Sequence, residues 1–210
     1  MLKAVLFDLD STLVNSEEYY MKSMVNIAKL VGKDAKQEDF FVCIGKDMDA
    51  TYKIFEDFVK KPKNTWIDLY NDYFRNVDPI DFASLLFEDV LDTFIGIKEK
   101  GIKIGICSMS PEYYIEDCVK KCHLQDYVDY YISGENCVHN KPYPDIYLKA
   151  LKDLDLKADE ALVVEDAKEG IVSANLAGIK VVARDDSRFN VDQSQASAVF
   201  KDLRKLLTII

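Results

Sequence analysis

Five short apolar, β-branched runs recur along the chain: LKAVLF, IKIGIC, VDYYIS, ALVVE and IKVVA. Within each, hydrophobic residues follow one another instead of alternating with polar ones, so each reads as a strand buried on both faces. Segments with helical spacing separate them. Phe87, Val90, Phe94 and Ile97 share one face of a helix that Gly101 ends. Ile115, Cys118, Val119 and Cys122 line another, with Ser110 the expected N-cap and Pro111 in its first turn. Pro144 opens a third helix with Tyr147, Leu151 and Leu154 inward, and Ile171 and Ala174 belong to a fourth that Gly178 closes. Strands alternating with helices in this way predict an α/β fold built on a doubly wound parallel sheet. With 210 residues, 49% of them hydrophobic, the chain has enough apolar surface for such a core.

One stretch breaks the alternation. Residues 15–82 contain helical patterns and no convincing strand. Asn15 and Glu18 form a candidate capping box, followed by Tyr20, Met24, Ile27 and Val31 on one face, with Gly32 at the end. Tyr52, Phe55 and Val59 mark a second helix before Pro62, and Ile67, Tyr70 and Phe74 a third. This stretch holds half of the chain's aromatic residues, whose ordinary role is packing a small bundle, although a ligand surface is the rival use. The expected organisation is a core of residues 1–14 and 83–210 with a helical insert at 15–82. A polar surface loop is expected from Arg184 to Ser197, before a last helix. No internal repeat or low-complexity tract is evident.

The formal net charge of −10 argues against nucleic-acid binding, which depends on Lys and Arg neutralising phosphates. It leaves room for an anionic substrate in a locally positive cleft. The N-terminus shows no signal-peptide pattern and no apolar run reaches membrane-spanning length, so a cytoplasmic protein without membrane contact is expected. The five cysteines include no C-x-x-C pair. Cys118, Cys122 and His123 have helical spacing and could be metal ligands, but two Cys at i, i+4 in an amphipathic helix more often face a core.

In open α/β sheets, ligands bind beyond the carboxyl ends of the strands. Asp8 and Asp10 follow the first run, Ser108 follows IKIGIC, and Glu165 and Asp166 follow ALVV. Lys141 lies in the loop after VDYYIS. Singly, each has a bland reading as a turn residue, a cap or a strand-end hydroxyl. Together, four strand ends present carboxylates, a hydroxyl and an ammonium to one edge of the sheet. Clustered carboxylates with no nearby His or Cys make an oxygen-only site suited to Mg²⁺, not zinc. A Lys ammonium and a Ser hydroxyl beside a helix N-terminus are natural partners for phosphate oxygens. The set therefore points to phosphoryl transfer. No Gly-rich phosphate loop of the form G-x-x-x-x-G-K is present.

These residues stand in DLDST, ICSMS, NKPYPDIY and VVEDAKEGIVSANLAGI, four motifs in an order and spacing that resemble the haloacid dehalogenase superfamily. The resemblance covers essentially the whole chain and falls in the branch of small phosphatases that includes β-phosphoglucomutase. It implies a Rossmann-like core and a cap domain formed by the helical insert. It implies that Asp8 is the nucleophile, becoming an aspartyl phosphate. Asp10 would protonate the leaving oxygen and then deprotonate the hydrolytic water. Asp8, the Asp10 backbone carbonyl and Asp166 would hold Mg²⁺, with Glu165 direct or through water. Ser108 and Lys141 would grip phosphate oxygens. Ser11, Thr12 and Met109 beside the motifs, and Glu17, Tyr20 and Lys46 in the cap, are the candidate substrate contacts.

The departures matter. Ser11 occupies a position where the family commonly has Gly. Thr12 is the form common in phosphatases, whereas the mutase resembles D-x-D-x-V. Tyr20 stands where the mutase carries a cap His, and Met48 lies near the place of its cap Arg, with Lys46 close by. The expected activity is therefore hydrolysis of a small phosphorylated metabolite, such as a sugar or polyol phosphate. A hexose-phosphate mutase is the alternative. A non-enzymatic phospho-Asp signalling domain is a remote third, since those resemble shorter domains without a cap. A monomer or weak homodimer is expected.

Overall fold

Each predicted run forms a strand, and the strands assemble into one parallel sheet. The computed structural model describes residues 1–44, 46, 48–185, 188–189 and 191–210. The strands are β1 (Ala4–Phe7), β2 (Lys103–Ser108), β3 (Tyr130–Ser133), β4 (Ala161–Glu165), β5 (Lys180–Arg184) and β6 (Val199–Phe200). Their order is β3-β2-β1-β4-β5-β6. β1 lies between β2 and β4, with Phe7 level with both Ile106 and Val164. It is buried at every position, as expected for a strand covered on both faces. The order steps outward in both directions from β1, so the carboxyl ends of β1, β2 and β4 lie side by side where the crossovers diverge.

The chain divides into two compact units, Met1–Val14 with Phe82–Ile210, and Asn15–Asp81. The second unit contains α1 (Ser16–Leu30), α2 (Met48–Val59) and α3 (Ile67–Asp72), the last continuing into a wider π-helical turn, Tyr73–Val77. Its aromatics pack against one another. Phe55 meets Trp66 at 4.7 Å between ring centres, Tyr52 meets Tyr70 at 5.3 Å, and Phe40, Phe55, Trp66 and Tyr70 are buried. They form this unit's core. Asn15 does not cap α1 through its side chain; its backbone (φ −78, ψ 62) lies outside the extended region of a capping residue, and Glu18 pairs instead with Lys22 one turn on.

In the first unit, α4 (Phe82–Leu85), α5 (Val90–Glu99), α6 (Glu112–Lys121), α7 (Asp145–Asp153) and α8 (Lys168–Leu176) accompany the sheet. Gly101 and Gly178 follow α5 and α8 with φ of +70 and +75, which glycine adopts without a Cβ penalty. Cys118 and Cys122 are buried, 3.9 Å apart at sulfur, and Cys122 Sγ donates to the Phe82 carbonyl, so they serve packing; His123 is exposed. Among the described residues, no helix is long and apolar enough to cross a membrane.

Three further details differ from the expectations. Pro111, not Ser110, occupies the capping position of α6, and the Ser110 side chain turns elsewhere. The chain after the polar stretch forms a two-residue strand, β6, and then a 3₁₀ turn, Leu203–Thr208, in place of a last helix. Leu203 and Leu206 bury at i, i+3, a spacing that a three-residue turn satisfies. Arg184 ends β5 instead of starting the loop, while Asp186, Ser187 and Asn190 of that loop lie outside the described residues.

Arg184 and Asp89 form a buried ion pair with side-chain exposures of 4% and 5%. The guanidinium donates to both Asp89 oxygens, at 2.7 and 3.2 Å, and to the Thr12 carbonyl at 2.8 Å, while Asp89 also accepts the Leu203 N–H. Removing one member of such a pair leaves a desolvated charge. Asp89→Ala should therefore cost about 3–5 kcal/mol in urea unfolding monitored by circular dichroism, whereas an exposed pair such as Lys53–Asp57 should change stability by less than about 1 kcal/mol on removal.

Candidate active site

β1 delivers the first carboxylate directly. Asp8 continues the strand, its N–H bonded to the Val164 carbonyl at 2.9 Å, and it is 8% exposed. The chain then turns back on itself: the Leu9 carbonyl accepts the N–H groups of Leu13 and Val14, and Ser11 N–H bonds the Val14 carbonyl at 2.7 Å. That turn requires φ of +57 at Ser11, a conformation glycine takes more readily. The Ser11 hydroxyl is buried with no hydrogen-bond partner among the described residues. Thr12 is buried too, and its hydroxyl donates to Asp166 Oδ1 at 3.0 Å, tying the end of β1 to the end of β4.

Lys141 reaches this point from the loop between β3 and α7. Its ammonium donates to Asp8 Oδ1 at 2.5 Å, to Glu165 Oε1 at 2.6 Å and to the Cys107 carbonyl at 2.9 Å. Its side chain is 5% exposed. Burial disfavours the ammonium, but Asp8 and Glu165 outweigh it and raise its pKa, so Lys141 stays charged. Burial pushes Asp8 up to about 7, opposed by Lys141 and reinforced by Glu165. Tyr147, from the buried face of α7, donates to Glu165 Oε1 at 2.5 Å. Glu165 rests over Gly170 on α8, where any Cβ would collide with its carboxylate.

Carboxylate oxygens of Asp8, Glu165 and Asp166, all buried, lie within 4.8 Å of one another. One ammonium facing three acidic groups leaves an excess of negative potential that burial cannot disperse. The donors are all hard oxygens, a set that fits Mg²⁺ in preference to zinc. The Asp10 side chain stands outside this trio; its oxygens accept Ser110 Oγ at 2.7 Å and Tyr114 Oη at 2.9 Å. Ser108 is buried at the end of β2, where its Oγ accepts the Ser110 N–H at 3.0 Å. Met109, half-buried, fills the space over Gly134.

The strand-end residues Asp8, Ser108, Lys141, Glu165 and Asp166 thus belong to one edge of the sheet, with Asp10, Ser11 and Thr12 on the turn after β1. Glu17 and Tyr20 stand on α1, and Lys46 precedes α2; these three belong to the helical unit. Ser110, Tyr114, Tyr147 and Gly170 join the site without having been singled out for it. Tyr147 has the spacing of a core residue, and periodicity carries no information about where a buried hydroxyl points. For Ser110 the available signal was position, two residues after Ser108 at the same strand end.

A family model of haloacid dehalogenase-like hydrolases matches residues 5–184. The pyrophosphatase PpaX of Bacillus cereus (strain Q1) is 33% identical over 184 residues, covering 87% of this chain and 82% of that protein. Among solved structures, a predicted phosphoglycolate phosphatase from Haemophilus somnus 129PT aligns with a TM-score of 0.86 at 22% identity, over 99% of this chain and 97% of that one. The β-phosphoglucomutase of Clostridium difficile aligns with a TM-score of 0.80 at 22% identity, over 98% and 93% of the two chains. At these identities the structural likeness is one of fold.

The seat of Glu165 gives a direct test. Gly170→Ala should force that carboxylate to move, an overpacking cost of about 1–3 kcal/mol, visible as a fall of roughly 2–10 °C in Tm. Mg²⁺ titration followed by thermal shift should show weaker stabilisation than in the unaltered protein. An unchanged Tm and Mg²⁺ response would mean that Glu165 is not held as described.

Proposed function

Because the chain belongs to the haloacid dehalogenase-like hydrolases, in their phosphatase branch, we propose that it is a Mg²⁺-dependent phosphomonoesterase acting on a small phosphorylated metabolite. The observation that carries this reading is the Lys141 ammonium bridging Asp8 and Glu165, with Asp166 within reach of both carboxylates. A sugar or polyol phosphate is the preferred substrate class. Pyrophosphate is a second reading, favoured by the relative named a pyrophosphatase at 33% identity.

Asp8 attacks phosphorus, forming an aspartyl phosphate that divides one displacement into two. Lys141 and Ser108 bind the phosphoryl oxygens and hold the group in line with Asp8. Asp10 protonates the leaving oxygen in the first half-reaction and takes a proton from the attacking water in the second. Asp8, the Asp10 carbonyl and Asp166, with Glu165 direct or through water, would hold Mg²⁺, which would supply positive charge against the anionic nucleophile and phosphoryl group. The Ser11 hydroxyl, which lacks a partner among the described residues, is available to a bound substrate or water. The helical unit is assigned the role of a cap domain that selects the substrate, with Glu17, Tyr20 and Lys46 as its candidate contacts, and Thr12 and Met109 are candidate contacts from the α/β unit. Hydrolysis is preferred to mutase chemistry because Tyr20 stands where the mutase carries a cap His and Met48, with Lys46 close by, lies near the place of its cap Arg.

Purified protein with Mg²⁺ should hydrolyse p-nitrophenyl phosphate or small sugar phosphates, read as released product. Asp8→Asn should lower turnover by at least about 10³-fold, and chelation of the metal should abolish it reversibly. Full activity in Asp8→Asn would exclude Asp8 as the nucleophile. A panel of phosphorylated metabolites scored for free phosphate and for isomerised product separates the hydrolase from the mutase.

A further inference from the structure

The loop that leads from Ser108 into α6 is held by the strand beside it. Ser108 and Ser133 end β2 and β3 at the same level of the parallel sheet. Ser133 is wholly buried, and its hydroxyl donates to the Ser110 carbonyl at 2.7 Å. The Glu135 carboxylate lies farther away, at 3.5 Å, so the single hydroxyl proton goes to the carbonyl. Ser133 Oγ in turn accepts the Glu135 N–H at 3.1 Å, and Glu135 Oε2 accepts the Glu112 N–H at 3.0 Å. Pro111 has no side-chain acceptor to offer the start of α6, and a carboxylate from the turn after β3 supplies one. Between the two held peptide groups the proline ring fixes φ, here −56. Gly134 completes the seat, since any Cβ there would collide with Met109.

These contacts bear on a donor. Among the described residues, Ser108 Oγ makes one hydrogen bond, accepting the Ser110 N–H at 3.0 Å. A hydroxyl that accepts on one side keeps its own hydrogen to give, and the bond already made limits where that hydrogen can point. We propose that Ser133 and Glu135 are positioning residues for Ser108, holding residues 110–112 so that the Ser110 N–H engages Ser108 Oγ and the hydroxyl hydrogen is left for a phosphoryl oxygen. The assignment rests on the reading of Ser108 as a phosphate-binding residue. Both side chains act through the backbone, Ser133 on a carbonyl and Glu135 on an N–H. Without them the chain entering α6 is free to shift, and Ser108 loses the partner that orients it. Displacement of a binding group by about 1 Å can cost on the order of 100-fold in rate.

Hydrolysis of p-nitrophenyl phosphate with Mg²⁺, inhibited by inorganic phosphate, reads the effect. Ser133→Ala should raise the phosphate inhibition constant about tenfold and lower kcat/KM by a similar factor. In a Ser108→Ala background the same substitution should change either quantity by less than about twofold, because the donor it orients is gone. A merely structural role would give the same loss in both backgrounds. Glu135 is exposed, so Glu135→Ala leaves the buried packing intact. It should raise the inhibition constant about threefold or more, again only where Ser108 is present. Glu135→Gln, whose amide oxygen can still accept the Glu112 N–H, should return it to within about twofold of wild type. Wild-type inhibition in Ser133→Ala, or equal losses with and without Ser108, would overturn the proposal. If Ser133→Ala does not fold, Glu135→Ala carries the test, and wild-type inhibition, equal losses in both backgrounds or no recovery in Glu135→Gln would overturn it. Wild-type values in Ser108→Ala alone would instead overturn the reading of Ser108 beneath it.

Discussion

The Lys141 ammonium, buried between Asp8 and Glu165, is the interaction on which the remainder of the site depends. A carboxylate at the end of a wholly buried strand would be costly without a cation, and Asp8 stands between two strands that each end in polar groups. Lys141 brings an opposite charge to within 2.6 Å of two acidic groups and gives its third proton to the Cys107 carbonyl, so all three donors are engaged and one of these bonds must be exchanged for Lys141 to bind a phosphoryl oxygen. One positive charge does not balance two carboxylates, and Asp166 adds a third. Under the proposed function, that residual charge is what a divalent cation would neutralise before a phosphoryl group binds.

The scaffold holds these charges through a short relay of buried contacts. Asp89 clamps Arg184, Arg184 holds the Thr12 carbonyl, and the Thr12 hydroxyl holds Asp166. On the other side, α7 sends Tyr147 and α8 opens a gap at Gly170, so that Glu165 has a single place to lie. The Arg184–Thr12 and Thr12–Asp166 links join the ends of different strands, and the others tie a strand end to a helix. The precision of the site therefore comes from the register of the parallel sheet more than from any one loop, as electrostatic preorganisation requires.

The parts of this arrangement that were legible in the sequence share a physical cause. Strands buried on both faces leave continuous apolar runs, and polar residues at the ends of such runs must be functional or paired, so Asp8, Ser108, Glu165 and Asp166 could be picked out from position alone. Lys141 was legible through its motif. β6 was not, because two residues, Val199 and Phe200, are too few to establish a period. Ser110 misled because a Ser before Pro at a helix start has the composition of a cap, yet a carboxylate 100 residues away competes for its hydroxyl. Tyr114 and Tyr147 were hidden for a related reason: their spacing encodes burial of the ring, whereas the destination of the hydroxyl is decided by tertiary packing.

The central claim is that this concentration of charge makes Asp8 the residue that carries the phosphoryl group. Rapid acid quench of turnover, followed by mass spectrometry of the peptides, tests it most directly. The account predicts added phosphate on the peptide holding Asp8, appearing before product release and absent when the metal is chelated. Phosphate on another residue, or steady turnover with direct attack of water and no phosphorylated peptide at any quench time, would contradict it.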